Sequence, residues 1–122
     1  MTRRHKILVI DDSPLILRAA TEILKESYDI IIAKSGETGI AIAKRDKPDL
    51  VLLDIVMPGL SGFETLVYLK AYSETKNIPV MLVSGSESVE EQERGRKEGA
   101  IGFVKKPFTP GEILESIANI LH

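Results

Sequence analysis

The chain has 122 residues, 43% of them hydrophobic, and its 16 Lys and Arg against 18 Asp and Glu leave a formal charge of −2. That size and apolar content suit one packed domain spanning residues 1–122 and argue against a disordered chain. The charge balance offers no electrostatic footprint for direct nucleic-acid binding, the absence of Cys excludes disulfide and thiolate chemistry, and no apolar run approaches the roughly 20 residues of a membrane span.

The basic run Arg3-Arg4-His5-Lys6 reads as a frayed, solubilising lead-in, and Met1 followed by charged residues is no signal peptide, so a natural start and a cytoplasmic chain are expected. Five short apolar runs follow: Ile7–Ile10, Ile30–Ala33, Leu50–Leu53, Val80–Val83 and Ile101–Val104. Each is continuous rather than alternating, the pattern of strands buried on both faces of a parallel sheet.

Helices with marked starts lie between the runs. Ser13 precedes Pro14, and Leu15/Ile16, Ala19/Ala20 and Ile23/Leu24 form an apolar stripe. Ser35 caps a second helix carrying Ile40 and Ala43, and Ser61/Glu64, Ser88/Glu91 and Thr109/Glu112 have capping-box spacing. The fourth helix is heavily charged, with Val89 as almost its only apolar anchor and Gly99 at its end, so it is expected to be weakly held. Five strand–helix units with short loops predict an α/β fold, a doubly wound five-stranded parallel sheet with five helices; of the flavodoxin-like order 2-1-3-4-5 and the half-Rossmann order, the flavodoxin-like one is expected.

In such sheets ligands bind beyond the carboxyl ends of the strands. There the first run ends in Asp11-Asp12, the third in Asp54, the fourth in Ser84, and the fifth leads into Lys105-Lys106-Pro107. Three carboxylates on one edge repel, and a hard divalent cation with oxygen ligands relieves the conflict; Mg²⁺ suits a site with few carboxylates and a phosphate. Mg²⁺ would keep Asp54 ionised as a nucleophile, while Lys106 and the Ser84 hydroxyl could hold oxygens of a transferred phosphoryl group. Each piece alone is commonplace in turns; their convergence on one edge carries the reading.

The stretches Ile7–Ser13, Pro48–Pro58 with Ser61-Gly62, Ile78–Gly85 and Gly99–Phe108 together resemble the response-regulator receiver family, over essentially the whole chain. The resemblance implies that Asp54 accepts a phosphoryl group from a histidine kinase or histidine phosphotransfer protein. It implies Mg²⁺ held by Asp12, by Asp11 through water, by Asp54 and by the Val56 backbone carbonyl. Lys106 matches the family lysine, with a cis bond to Pro107, and Ser84 and Phe103 match the hydroxyl and aromatic switch positions. Phosphorylation would turn Ser84 inward and let Phe103 rotate from exposed to buried, changing the face of the fourth helix, fifth strand and fifth helix for a downstream target or output domain. Apolar Val56, two residues past the acceptor, implies slow self-dephosphorylation, and it argues against a haloacid-dehalogenase-type phosphatase, which needs an acid there. The fifth helix lacks the Lys or Arg that receivers of winged-helix transcription factors carry for dimerisation.

Overall fold

Each of the five apolar runs forms a strand and each strand leads into a helix, because continuous β-branched and aliphatic runs can bury both of their faces only beneath two helical layers. The computed structural model describes residues 4–86 and 88–122. In chain order the elements are β1 (Lys6–Ile10), α1 (Pro14–Leu24), β2 (Asp29–Ala33), α2 (Gly36–Asp46), β3 (Leu50–Asp54), α3 (Gly62–Ala71), β4 (Val80–Ser84), α4 (Val89–Lys97), β5 (Gly102–Lys105) and α5 (Pro110–Leu121). All four strand pairs are parallel and the sheet order is β2-β1-β3-β4-β5, the flavodoxin-like arrangement expected.

The pleat divides the core in two. Ile7, Val9, Leu50, Leu52, Met81, Val83 and Val104 meet Leu17, Ala20 and Leu24 of α1 and Ile113 and Ile117 of α5. Leu8, Ile10, Val51, Leu53 and Leu82 meet Ala43 of α2 and Phe63, Leu66 and Leu69 of α3 on the other face. All five helices begin as their sequences suggest. Ser13, Ser35, Ser61, Ser88 and Thr109 each accept a hydrogen bond from the backbone N–H three residues on.

Four expectations need correction. β2 and β5 are not buried on both faces, because both are edge strands: Ile30 and Ile31 are half-buried and Ile32 exposed, and in the fifth run Ile101 is exposed and Phe103 half-buried. The buried stripe of α1 is Leu17, Ala20 and Leu24, while Leu15 is 77% exposed. Leu15 lies two residues from Leu17 and therefore on the opposite side of the helix. Val89 does not anchor α4, being 66% exposed; the helix seats instead on Gly95, its one buried residue. The lead-in is tied down from Arg4 onward, its guanidinium donating to the Tyr28 carbonyl at 2.7 Å and facing Asp29 at 3.4 Å; Arg3 lies outside the described residues.

Close approach of α2 to β1 depends on Gly39, where a Cβ would stand 2.3 Å from Ile10 Cδ1 and 2.8 Å from its Cγ1. Ile10 is fully buried and cannot yield. Gly39→Ala is therefore expected to lose stability, the overpacking cost of about 1–3 kcal/mol outweighing a helix-propensity gain of about 1 kcal/mol. Adding Ile10→Val, which removes Cδ1, should recover part of that loss, so a urea-denaturation double-mutant cycle is expected to give a favourable coupling.

Candidate functional site

The carboxyl edge of the sheet collects the polar residues that the apolar strands cannot accommodate. The β1–α1 turn starts at Asp11, whose N–H continues the sheet by donating to the Ala33 carbonyl at 3.0 Å. Its Oδ1 accepts from the Ser13 N–H at 2.9 Å, an Asx turn that fixes the carboxylate just ahead of the α1 cap. Asp54 is the last residue of β3, paired in register with Val83, and Ser84 ends β4 opposite Lys105. The Lys106 N–H donates to the Ser84 carbonyl at 2.7 Å, which seats Lys106 beside the strand ends, and the Lys106–Pro107 bond is cis.

Lys106 Nζ stands 2.9 Å from Asp11 Oδ2 and 2.9 Å from Asp54 Oδ1. Asp11 is 2% exposed and Asp54 6%, while Asp12 is on the surface. One oxygen from each of Asp11, Asp12 and Asp54 lies within 4.8 Å of the others. Three carboxylates thus face a single ammonium.

The titration of both groups reflects that deficit. Burial pushes the Asp54 carboxyl up, and the carboxylates of Asp11 and Asp12 push the same way, against the hydrogen bond and charge of Lys106. Burial acts to lower the Lys106 ammonium, but its hydrogen bonds to Asp11 and Asp54 prevail and its pKa is raised. The site therefore retains protons that isolated side chains would release. An all-oxygen set with unmet negative charge fits a hard divalent cation.

Of the residues singled out from sequence, Asp11, Asp12, Asp54 and Lys106 come together directly. Ser84 is at the same edge, but its Oγ accepts from the Ser86 N–H at 3.0 Å. Val56 lies just beyond Asp54 with its side chain 78% exposed. Phe103 is half-buried and packs on the core beneath α4, where a Cβ on Gly95 would stand 2.6 Å from Phe103 Cζ. Lys105 is exposed.

Sequence reasoning missed the residues that act through backbone. The Gly62 N–H donates to the Ile55 carbonyl at 2.7 Å, and a Cβ there would lie 2.2 Å from the Asp54 carbonyl oxygen. Gly62 was legible only as part of a Ser-Gly motif; its closeness to Asp54 is a tertiary fact. Gly95 likewise has no signal beyond being the one glycine inside α4.

A parallel β2-β1-β3-β4-β5 sheet with a Lys-bridged acidic cluster beyond β1 and β3 defines the class of regulatory phosphoacceptor domains. The comparisons agree: the family model for the response regulator receiver domain matches residues 7–118, and the chain belongs to that family. It is 37% identical over 117 residues to Protein PilH of Pseudomonas aeruginosa, covering 95% of this chain and 97% of PilH. Against the probable transcriptional regulatory protein TcrX of Mycobacterium tuberculosis it is 34% identical, over 94% of this chain but 49% of TcrX. The solved structure of Vibrio cholerae chemotaxis protein CheY4 superposes with a TM-score of 0.94 at 28% identity, covering 98% of this chain and all of CheY4. The chain is thus a receiver domain of the two-component, CheY-like kind, a regulatory domain by class. No helix among the described residues is long and apolar enough to cross a membrane.

Two outcomes follow. Gly62→Ala is expected to cost about 1–3 kcal/mol in urea unfolding, because backbone rather than a mobile side chain opposes the new methyl; the largest amide shift changes should fall on Asp54 and Ile55. Asp54 is protonated in folded and unfolded chains alike at low pH, but as pH rises through the ordinary carboxylate range the unfolded chain releases that proton first. Ionisation of Asp54 therefore subtracts from stability until pH exceeds its raised folded pKa, and the loss persists above it. Asp54→Asn is expected to raise the melting temperature at neutral pH in a chelator, and to make little difference well below the carboxylate range.

Proposed function

We propose that this domain, taken as residues 1–122, is a phosphoacceptor switch in which Asp54 receives a phosphoryl group from a histidine kinase or a histidine phosphotransfer protein. The observation that carries the reading is the ammonium of Lys106, 2.9 Å from both Asp11 and Asp54 on an edge that gathers three carboxylates. The residues fit Mg²⁺ held by Asp11, Asp12, Asp54 and the Val56 backbone carbonyl. Bound there, Mg²⁺ would neutralise excess carboxylate charge and the charge of the incoming phosphoryl oxygens.

The chain's own groups account for the rest. Asp54, buried at the end of β3, presents a carboxylate with little freedom to reorient, so its Oδ attacks phosphorus in line with the departing histidine nitrogen. Lys106 loses a carboxylate partner as Asp54 becomes an acyl phosphate, and its ammonium turns to a phosphoryl oxygen. Ser84 donates its hydroxyl to another. These contacts let the domain assist its own phosphorylation and, later, hydrolysis, where apolar Val56 offers the attacking water no hydrogen bond. With Ser84 drawn inward, Phe103 moves further beneath α4, and the α4–β5–α5 face changes for a downstream protein or output domain. Such a role belongs in the cytoplasm, without direct contact with nucleic acid or membrane.

Intact-mass analysis after incubation with acetyl phosphate and Mg²⁺ tests the reading. The wild-type chain is expected to gain about 80 Da and Asp54→Ala nothing; an equal gain in Asp54→Ala would remove the assignment. Gly95→Ala places a methyl against the Phe103 ring and is expected to bias the ring outward. Its signature should be broadened or shifted Phe103 aromatic resonances and weaker beryllofluoride binding, with Asp54 still phosphorylated.

A further inference from the structure

The β4–α4 connection carries serines at alternate positions, and their hydrogen bonds form a ladder. The Ser86 N–H donates to Ser84 Oγ at 3.0 Å, the Ser88 N–H donates to Ser86 Oγ at 3.0 Å, and the Glu91 N–H donates to Ser88 Oγ at 3.3 Å. Each rung is a local side-chain-to-backbone bond that stands in for regular structure. The ladder runs without interruption from the β4 tip to the first turn of α4.

That arrangement leaves the α4 cap half-made. At α3 the equivalent box is complete, with the Glu64 N–H donating to Ser61 Oγ at 3.2 Å and the Ser61 N–H donating to Glu64 Oε1 at 2.9 Å. At α4 the second bond is missing because the Ser88 N–H is already committed to Ser86 Oγ. Glu91, spaced from Ser88 as Glu64 is from Ser61, has its Oε1 buried with no hydrogen-bond partner among the described residues. A buried carboxylate oxygen without a partner is unfavourable, and by capping-box spacing the N–H it would accept from is that of Ser88, the cap residue of its own helix.

We infer that Ser86 and Glu91 compete for the Ser88 N–H, and that this competition sets how freely the Ser84 hydroxyl can turn toward a phosphoryl group on Asp54. The inference rests on the functional reading above. With the ladder intact, the Ser88–Ser86 bond holds the loop so that the Ser86 N–H engages Ser84 Oγ. When Ser84 rotates inward that rung breaks, the exposed Ser86 amide passes to water, and the loop releases the Ser88 N–H. Glu91 then accepts it, completing the capping box with a charge-assisted bond. Ser86 and Glu91 are thus positioning residues with opposite effects: one holds Ser84 back, the other rewards its release. With Gly95 as its one buried residue, the charged α4 has little apolar burial to oppose a change at its first turn.

The test uses the whole chain and two readouts. Amide hydrogen exchange without any phosphoryl donor reports the partner of the Ser88 N–H, and beryllofluoride titration with Mg²⁺, followed by amide shifts, reports the activated state. Ser86→Ala is expected to keep Ser88 protected through Glu91 and to tighten beryllofluoride binding by about fivefold, the weight of one ordinary hydrogen bond. Glu91→Ala is expected to weaken binding by about the same factor, and in the double variant with Ser86→Ala the Ser88 amide should lose its protection. Ser86→Thr, which keeps the hydroxyl, should behave as wild type. Movement of both single variants in the same direction would indicate a merely structural role and overturn the competition, as would a Ser88 amide still protected in the double variant. A wild-type chain that fails to respond to beryllofluoride overturns the functional reading and the coupling with it, whereas a wild-type response without opposed variant effects overturns the coupling alone.

Discussion

Excess negative charge at one edge of the sheet is the constraint around which the molecule is arranged. Asp11 and Asp54 are almost wholly buried, each at or just beyond the end of a strand, and Asp12 adds a third carboxylate within reach. One ammonium, Lys106, is shared between the two buried acids. Removing two carboxylates from water against a single cation is unfavourable, and the raised Asp54 pKa expresses that cost. The rest of the fold supplies what sustains it: a sheet rigid enough to hold the acids together and two apolar layers beneath them.

The sheet achieves this by dividing its side chains strictly between faces. Residues alternating along β1, β3 and β4 go to α1 and α5 on one side and to α2 and α3 on the other. Three strands whose residues are almost all buried cannot slide in register without displacing a complete apolar layer. Asp54 and Ser84 are therefore held at fixed heights. Where α3 meets the edge, Gly62 lets its first turn close directly onto the Asp54 carbonyl, so the loop after β3 has little latitude.

α4 is built on the opposite terms. Its apolar Val89 faces solvent, its seat is a glycine, and Arg94 lies over the Phe63 ring with its guanidinium carbon 4.2 Å from the centroid. Phe103 occupies the notch that Gly95 leaves open. A helix with so little apolar burial draws its order from caps and neighbours, and its cap is shared with the serines that lead back to Ser84. Dense packing around Asp54 and sparse burial of α4 follow adjacent strands, the disposition that the proposed phosphorylation switch requires.

Composition and pattern alone determined the five strand–helix units, their parallel sheet and the cap residues, because continuous apolar runs and Ser or Thr before a helix report local energetics. They also placed Asp11, Asp12, Asp54, Ser84 and Lys106 at one edge, since topology sends every strand end there. Burial of individual residues was less legible: Leu15, Ile32 and Val89 are as apolar as their buried neighbours, and helix phase or edge position decides their exposure. Only the tertiary structure decided that Lys106 bridges Asp11 and Asp54, that Gly62 and Gly95 serve by lacking a side chain, and that the Ser88 cap is half-made. Each of these depends on which atoms from distant segments, or from competing local partners, arrive within about 3 Å, and hydrogen bonds and overlaps at that range are not encoded in sequence spacing.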